Sequence, residues 1–384
     1  MGWKVKKIFL SLSFICLILL TGCGKQNEKE VLKEFQNKVT GADSYYLTGK
    51  MELVNNEDVF NYNISVSYKK DDYYKIELVN AVNDHKQIIL RNDEGVYIVT
   101  PSLNKSFKFQ SDWPYNNSQV YLLSSLLDDI NNDENRTFKV EGDDYVFISS
   151  VNYPNNEKLV NQKIYFGKDN LPTKVEVMDA DSNVQIRMVF DKIDLKTEFN
   201  DTYFDLNSIL DTNSTTDDKK DTNDSSGNNN NTSNNDKKDT TNTSNNDGTN
   251  QSPDNTKPED NNTDNKTKET ATIDDIIYPM YLPTNTYLTS TERVATEDGE
   301  RLILTFTGDS SFVLMEEVAK YSNKPEIIPT YGDVELIGSS LAVINDNSAN
   351  WFDNGIEYYI VSDVMKTDEL LQVVKSINVL PVSK

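Results

Sequence analysis

From Asp211 to Thr270, sixty residues pass without a single Ala, Val, Ile, Leu, Met, Phe, Trp, Tyr or Cys. The stretch is built from Asn, Asp, Thr, Ser and Lys with a few Gly and Pro, and thirteen acids against seven lysines leave it at −6. Such a segment cannot bury enough apolar surface to offset its ordering entropy, so it is expected to stay disordered. As a flexible coil it would span roughly 40 Å root-mean-square. No single core can run through it. The chain is therefore expected to fold as two modules, residues 28–210 and 272–384, joined by a linker over 211–271. Both modules are of ordinary single-domain size.

The chain opens with Lys4, Lys6 and Lys7, then a largely apolar run from Ile8 to Leu20, then Leu20-Thr21-Gly22-Cys23. Charge, apolar run and small residues in that order make a secretory signal over 1–22. The run is shorter than the roughly 20 residues a membrane span needs. A cysteine directly behind Leu-Thr-Gly turns the signal into a lipobox. Cleavage is expected between Gly22 and Cys23, and the Cys23 thiol takes the lipid, leaving 23–27 as a short tether. Two acyl chains at about 0.8 kcal/mol per buried methylene anchor stably where one does not. The expected location is the outer face of the cell membrane. The only other cysteine, Cys16, leaves with the signal, so the mature chain has no disulfide and must be held by buried area. A formal charge of −24 repels nucleic acid and anionic lipid, and no nucleic-acid partner is expected.

In the first module a helix is expected near 28–39, where Val31, Leu32, Phe35 and Val39 share one face. The period then changes to two. In Phe60–Tyr68 every even position is apolar or aromatic and every odd one polar, and Leu47, Met51, Leu53 and Tyr74, Ile76, Leu78 alternate likewise. These are half-buried antiparallel strands. About ten are expected, with a second helix over 118–130 capped by Asn117 or Ser118. A strongly twisted sheet of that size curls. The expected fold class is mainly β: an open antiparallel half-barrel with a helical plug on its concave side, followed after the linker by a small α+β domain. In the second module 302–306, 311–316, 350–352 and 356–361 read as strands. Asn354-Gly355 is the hairpin turn, and Thr367 caps a last helix over 368–376.

Little in the sequence points to catalysis. The one histidine, His85, lies in a polar turn and is expected to be solvent-exposed. A hydrolytic triad or histidine-based zinc site needs it, and a mature chain without cysteine offers no substitute. No phosphate-binding loop, dinucleotide fingerprint or zinc-protease helix is present. No cofactor and no metal are expected. One stretch stands out as a recognition edge: Pro101, Leu103, Asn104, Lys105, Phe107, Phe109, Trp113 and Pro114, a strand, turn and strand ending in Trp-Pro, with Trp113 as anchor.

Gly95-Val96-Tyr97, the Thr100–Lys105 run, Trp113-Pro114 and Tyr121-Leu122-Leu123 resemble the clostridial GerS group of germination lipoproteins, within the LolA/LolB/RseB-like superfamily. Tyr278–Pro283, Trp351, Asp353-Asn354-Gly355 and the stretch from Asp368-Glu369-Leu370-Leu371 to Ser376-Ile377 resemble the domain appended to Bacillus sporulation lipoproteins of that superfamily. The resemblance implies a LolA-like half-barrel and a non-enzymatic lipoprotein of sporulation and germination. It also implies a protein partner, a cell-wall (cortex) amidase or another envelope protein. The superfamily's carriers imply an alternative role: a lipid or lipoprotein carrier or sensor with acyl chains in the concave face.

Overall fold

The computed structural model describes residues 25–55, 58–110, 118–211, 272–297 and 299–377. The signal, the lipobox and nearly all of the linker lie outside them. The first module runs α1 (Glu28–Thr40), β1 (Ser44–Asn55), β2 (Asp58–Lys69), β3 (Tyr73–Asn80), β4 (Lys86–Asn92), β5 (Gly95–Thr100), β6 (Lys105–Phe109), α2 (Leu123–Asn132), β7 (Thr137–Glu141), β8 (Asp144–Ser150), β9 (Leu159–Phe166), β10 (Pro172–Asp179), β11 (Val184–Asp194) and α3 (Leu206–Asp211). Its eleven strands form one antiparallel sheet, two meanders (β1–β6 and β7–β11) joined along β1 and β11, in the order β6-β5-β4-β3-β2-β1-β11-β10-β9-β8-β7. The sheet stays open, with β7 ending one side.

Strand alternation sends one set of side chains to the concave face. Leu47, Ile64, Ile76, Ile98, Phe147, Ile164, Val175 and Met188 meet there in one core. Two helices plug it. Val31 and Phe35 of α1, and Leu123, Leu126, Leu127 and Ile130 of α2, are all buried in that core. A capping box starts α1: Asn27 Oδ1 accepts from the Glu30 amide at 3.2 Å, and Glu30 Oε2 accepts from the Asn27 amide at 3.0 Å. At Thr48/Gly49 the β1–β11 register shifts, and a Cβ on Gly49 would stand 2.3 Å from the Val189 carbonyl oxygen. Only glycine allows the backbones that close.

Two local expectations are corrected. The second helix starts at Leu123, with Leu122 as its cap residue. Ser118 lies before the helix, where its hydroxyl donates to Asp129 at 2.9 Å. Polar–apolar spacing did not separate this lead-in from the helix. α3 was not anticipated. With Phe204 it covers Ile88, Leu90, Tyr97 and Val99 on the convex face, which is why β4 and β5 read as nearly continuous apolar runs.

The second module runs β12 (Thr286–Ala295), β13 (Glu300–Gly308), β14 (Phe312–Val318), β15 (Glu326–Thr330), β16 (Asp333–Ile337), β17 (Ser340–Ile344), β18 (Ser348–Asp353), β19 (Ile356–Val361) and α4 (Thr367–Lys375). Seven of these strands make an antiparallel sheet ordered β12-β13-β14-β19-β18-β17-β16. The hairpin turn falls at Asn354 (φ 46) and Gly355 (φ 78), both left-handed, as a type I′ turn requires. Leu370, Leu371, Val373 and Val374 of α4 pack on one face of the sheet. Lys366 occupies the cap position of α4 without a side-chain bond, and the Thr367 hydroxyl donates instead to the Asp346 carbonyl at 3.2 Å.

β15 does not join this sheet. It pairs in parallel with β6 and makes the half-barrel sheet twelve-stranded. Leu341, Val343 and Phe352 of the second module are also buried in the half-barrel core. β17 is buried along its whole length because its two faces serve two cores: Ala342 and Ile344 face α4, while Leu341 and Val343 face the half-barrel.

Candidate functional site

The site is built where the second module meets the β6 edge and the mouth of the half-barrel. A 3-10 turn, Pro101–Leu103, links β5 to β6 and ends at Asn104 in the left-handed region (φ 54). Pro101, Leu103 and Asn104 are buried, as are Phe107 and Phe109, whose rings join the concave core. Asn104 Nδ2 donates to the Ser322 carbonyl at 2.8 Å, and the Ser322 backbone amide donates to the Leu103 carbonyl at 3.0 Å. Lys105 Nζ lies 3.3 Å from Glu326 and 5.6 Å from the Phe352 ring centre. Phe107 stacks on Phe352, with ring centres 5.1 Å apart. Six of the eight residues expected to form a recognition edge thus stand together, and the chain's own second module lies on them. Trp113 and Pro114 lie outside the described residues, as do Gly22 and Cys23.

Around the mouth, buried polar groups of the half-barrel bond to the second module. The Leu341 amide donates to Gln87 Oε1, the Tyr62 hydroxyl donates to the Gly338 carbonyl, and Asn55 Nδ2 donates to the Lys375 carbonyl at 2.8 Å. His85 is not the exposed turn residue expected from its polar neighbours. It is half-buried against Asp353, and its Nε2 has no hydrogen-bond partner. Burial lowers the imidazole pKa, with Asp353 opposing the shift. Burial raises the Asp353 carboxyl, with the Ser339 hydroxyl and His85 opposing. Ser339 donates to Asp353 Oδ2, and Asn83 Nδ2 donates to Asn354 Oδ1 at 3.1 Å. The docked tip of the β18–β19 hairpin explains the burial of His85: a long-range contact covers a residue whose local sequence reads as surface.

Between the two modules a cavity of about 150 Å³ remains. Leu53, Leu78, Ile186, Val334 and Leu336 supply apolar walls, and the Lys375–Glu335 ion pair (2.8 Å) adds a polar one. Gln119 Oε1 lines the same space without a hydrogen-bond partner. Among the described residues no cluster of His, Cys, Asp and Glu could hold a metal ion. The arrangement is suited to recognition: an edge strand, an aromatic stack and buried polar groups that bond backbone. Sequence reasoning missed Gln87, Leu341, Val343 and Phe352 as docking residues. Two signals pointed to them: a glutamine opening the apolar run Ile88-Ile89-Leu90, and the short continuous run Leu341–Ile344, which asks for cover on both faces.

The fold is that of a two-module, mainly β protein, an open half-barrel whose edge and mouth receive a second sheet. The model of the family described as "Sporulation protein YdcC-like" matches residues 4–204, and the chain belongs to that family. The sporulation protein YdcC of Bacillus subtilis (strain 168) is 30% identical over 376 residues, which covers 97% of each chain. Solved structures also resemble the chain. The Pseudomonas aeruginosa MucA/MucB complex includes one chain at 11% identity, covering 90% of this chain and 98% of that one, with a TM-score of 0.30. The complex of the Clostridioides difficile CwlD amidase with the GerS lipoprotein matches at 20% identity, 47% and 100% coverage and a TM-score of 0.24. A LolA superfamily protein of Nitrosomonas europaea matches at 9% identity, 47% and 98% coverage and a TM-score of 0.28. With TM-scores this low, none of these likenesses decides a function.

Proposed function

We propose that this sporulation-family protein is a non-enzymatic binding module, held by a lipid on Cys23 at the outer face of the cell membrane. In this reading it holds or activates a cell-wall amidase during sporulation and germination. The observation that carries the reading is the β6 edge and mouth. There the half-barrel takes up a second sheet by backbone pairing at β15, by the Phe107–Phe352 stack and through Gln87 and Tyr62. The choice of an amidase rests on the resemblance of the Gly95–Leu123 stretch to the germination lipoprotein group.

The second reading is a carrier that binds acyl chains in the concave face. The cavity bears on it directly. A space of about 150 Å³, walled in part by the Lys375–Glu335 pair and Gln119, is smaller and more polar than an acyl chain requires. The helices and the second module fill the rest of the concave face, which favours the protein partner.

An affinity pull-down from sporulating cells with the chain from residue 24, scoring protein and lipid in one eluate, separates the two. A stoichiometric cell-wall hydrolase supports the binding module. Lipid without a protein partner overturns it in favour of the carrier. Cys23→Ser in the full chain is expected to move the protein from the membrane fraction to the soluble one, and persistence in the membrane fraction would count against the anchor.

A further inference from the structure

Between β14 and β16 the chain leaves its own sheet. Residues 319–332 cross to the half-barrel, lay β15 along β6 and return. The register is Glu326↔Lys105, Ile328↔Phe107 and Thr330↔Phe109. The Glu326 amide donates to the Asn104 carbonyl at 3.0 Å, and the Gln110 amide donates to the Thr330 carbonyl at 2.9 Å. In a parallel ladder, alternate residues turn both backbone groups to the same neighbour. Residues 326, 328 and 330 therefore face β6. Pro329 falls on the outward edge, where a missing N–H costs nothing and blocks a further strand.

Backbone pairing, the Lys105–Glu326 ion pair and the Asn104 side chain hold this strap, with little apolar burial. Glu326, Ile327 and Pro329 are exposed, and within β15 Ile328 is the residue that packs, half-buried, on the half-barrel core. Tyr321 and Tyr331, at either end, are also exposed. A segment with so little buried apolar contact opens locally at a fraction of the global unfolding free energy. Phe352, Leu341 and Val343, which dock the second module, belong to β18 and β17 and not to the strap. Departure of the strap uncovers a short edge whose free backbone groups are those of Ser106 and Lys108, between the Asn104 carbonyl and the Gln110 amide, with the Lys105 side chain at one end.

We propose that β6 is a strand-docking edge for an extended segment of a partner protein, and that β15 is the chain's own occupant of that edge, displaced when the partner strand adds. The incoming segment runs parallel to β6. It carries an acidic residue opposite Lys105 and a branched aliphatic residue two positions on, where Ile328 now sits. The inference deepens the binding-module reading and rests on it for its biological sense.

The test needs no partner. A labelled peptide of residues 322–331 is titrated into the chain from residue 24, with fluorescence anisotropy as readout. Ile328→Asp in the protein loosens the strap and is expected to tighten peptide binding at least about tenfold. The same peptide carrying the Ile328→Asp change is expected not to bind. Lys105→Cys with Glu326→Cys, in a chain with no other cysteine, locks the strap when oxidised. The locked form is expected to reject the peptide until it is reduced. Hydrogen exchange on the unmutated chain gives an independent readout: added peptide should speed exchange at Glu326, Ile328 and Thr330 while Ile98 and Val99 of β5 stay protected. The proposal is overturned if Ile328→Asp binds no better than the parent, or if the peptide binds while the strap keeps its protection. Failure of the pull-down would leave these readouts intact, so the two ideas fail separately.

Discussion

Glu316 shows most clearly how position changes a residue's chemistry. It lies on β14 with no exposed surface. Burial raises its carboxyl to about 7, against the opposing pull of the Ile277 amide and Arg293. The Ile277 amide donates to Oε2 at 3.3 Å, while Oε1 has no hydrogen-bond partner. A raised folded-state pKa contributes stability that is complete below the unfolded value and is lost as pH rises through the folded one. The second sheet should therefore lose stability between about pH 5 and pH 8, by at most about 3 kcal/mol. Glu316→Gln keeps the shape and removes the charge. Its melting temperature should stay level over that range and exceed the parent's at pH 8. Parallel pH profiles for the two proteins would show that the carboxyl is not the cause. The sequence offers no sign of this, because Glu316-Glu317 reads as a pair of strand-end acids.

At the scale of elements, the periodic segments were the legible ones. The alternation in Phe60–Tyr68 fell within β2, and the spacing of Leu123, Leu126, Leu127 and Ile130 became the plug stripe of α2. The plug closes the concave face, so its loss should open the core. Leu126 is fully buried there, and Leu126→Ala should cost about 2–5 kcal/mol, read as a lower denaturant midpoint with little change in slope. A loss below half a kilocalorie would mean that the helix is not a structural plug. Less legible were β12, β15, β16 and β17. The first is largely exposed on both faces, and the short others lack a clean period of two because their surroundings come from distant parts of the chain.

At the scale of the whole molecule, the expectation of two independent modules meets a structure in which they share a core. Phe352 lies in the half-barrel core and Gln87 bonds Leu341 across the boundary. The expected outcome is one coupled unfolding transition in the parent chain. Phe352→Ala removes the stack on Phe107 at a cost of about 3–5 kcal/mol and should split the melt into two transitions on calorimetry. A proteolytic cut within 212–270 should leave two fragments that elute together, held by Phe352 in the half-barrel core and the Gln87–Leu341 bond. Fragments that separate at micromolar concentration would show that covalent linkage, through effective concentration, is what keeps the modules docked.

By itself the amino-acid sequence determined the two-part layout, the mainly β class and the open half-barrel with its helical plug. It also determined the Asn354-Gly355 hairpin. Each of these follows from composition, period or turn chemistry over a few neighbouring residues. Only the tertiary structure decided that β15 completes the edge of the half-barrel, that Phe352 caps Phe107, and that His85 lies against Asp353. These contacts join residues more than two hundred positions apart. Backbone pairing at a sheet edge is nearly indifferent to side-chain identity, so no local pattern records which strand will take the place beside β6.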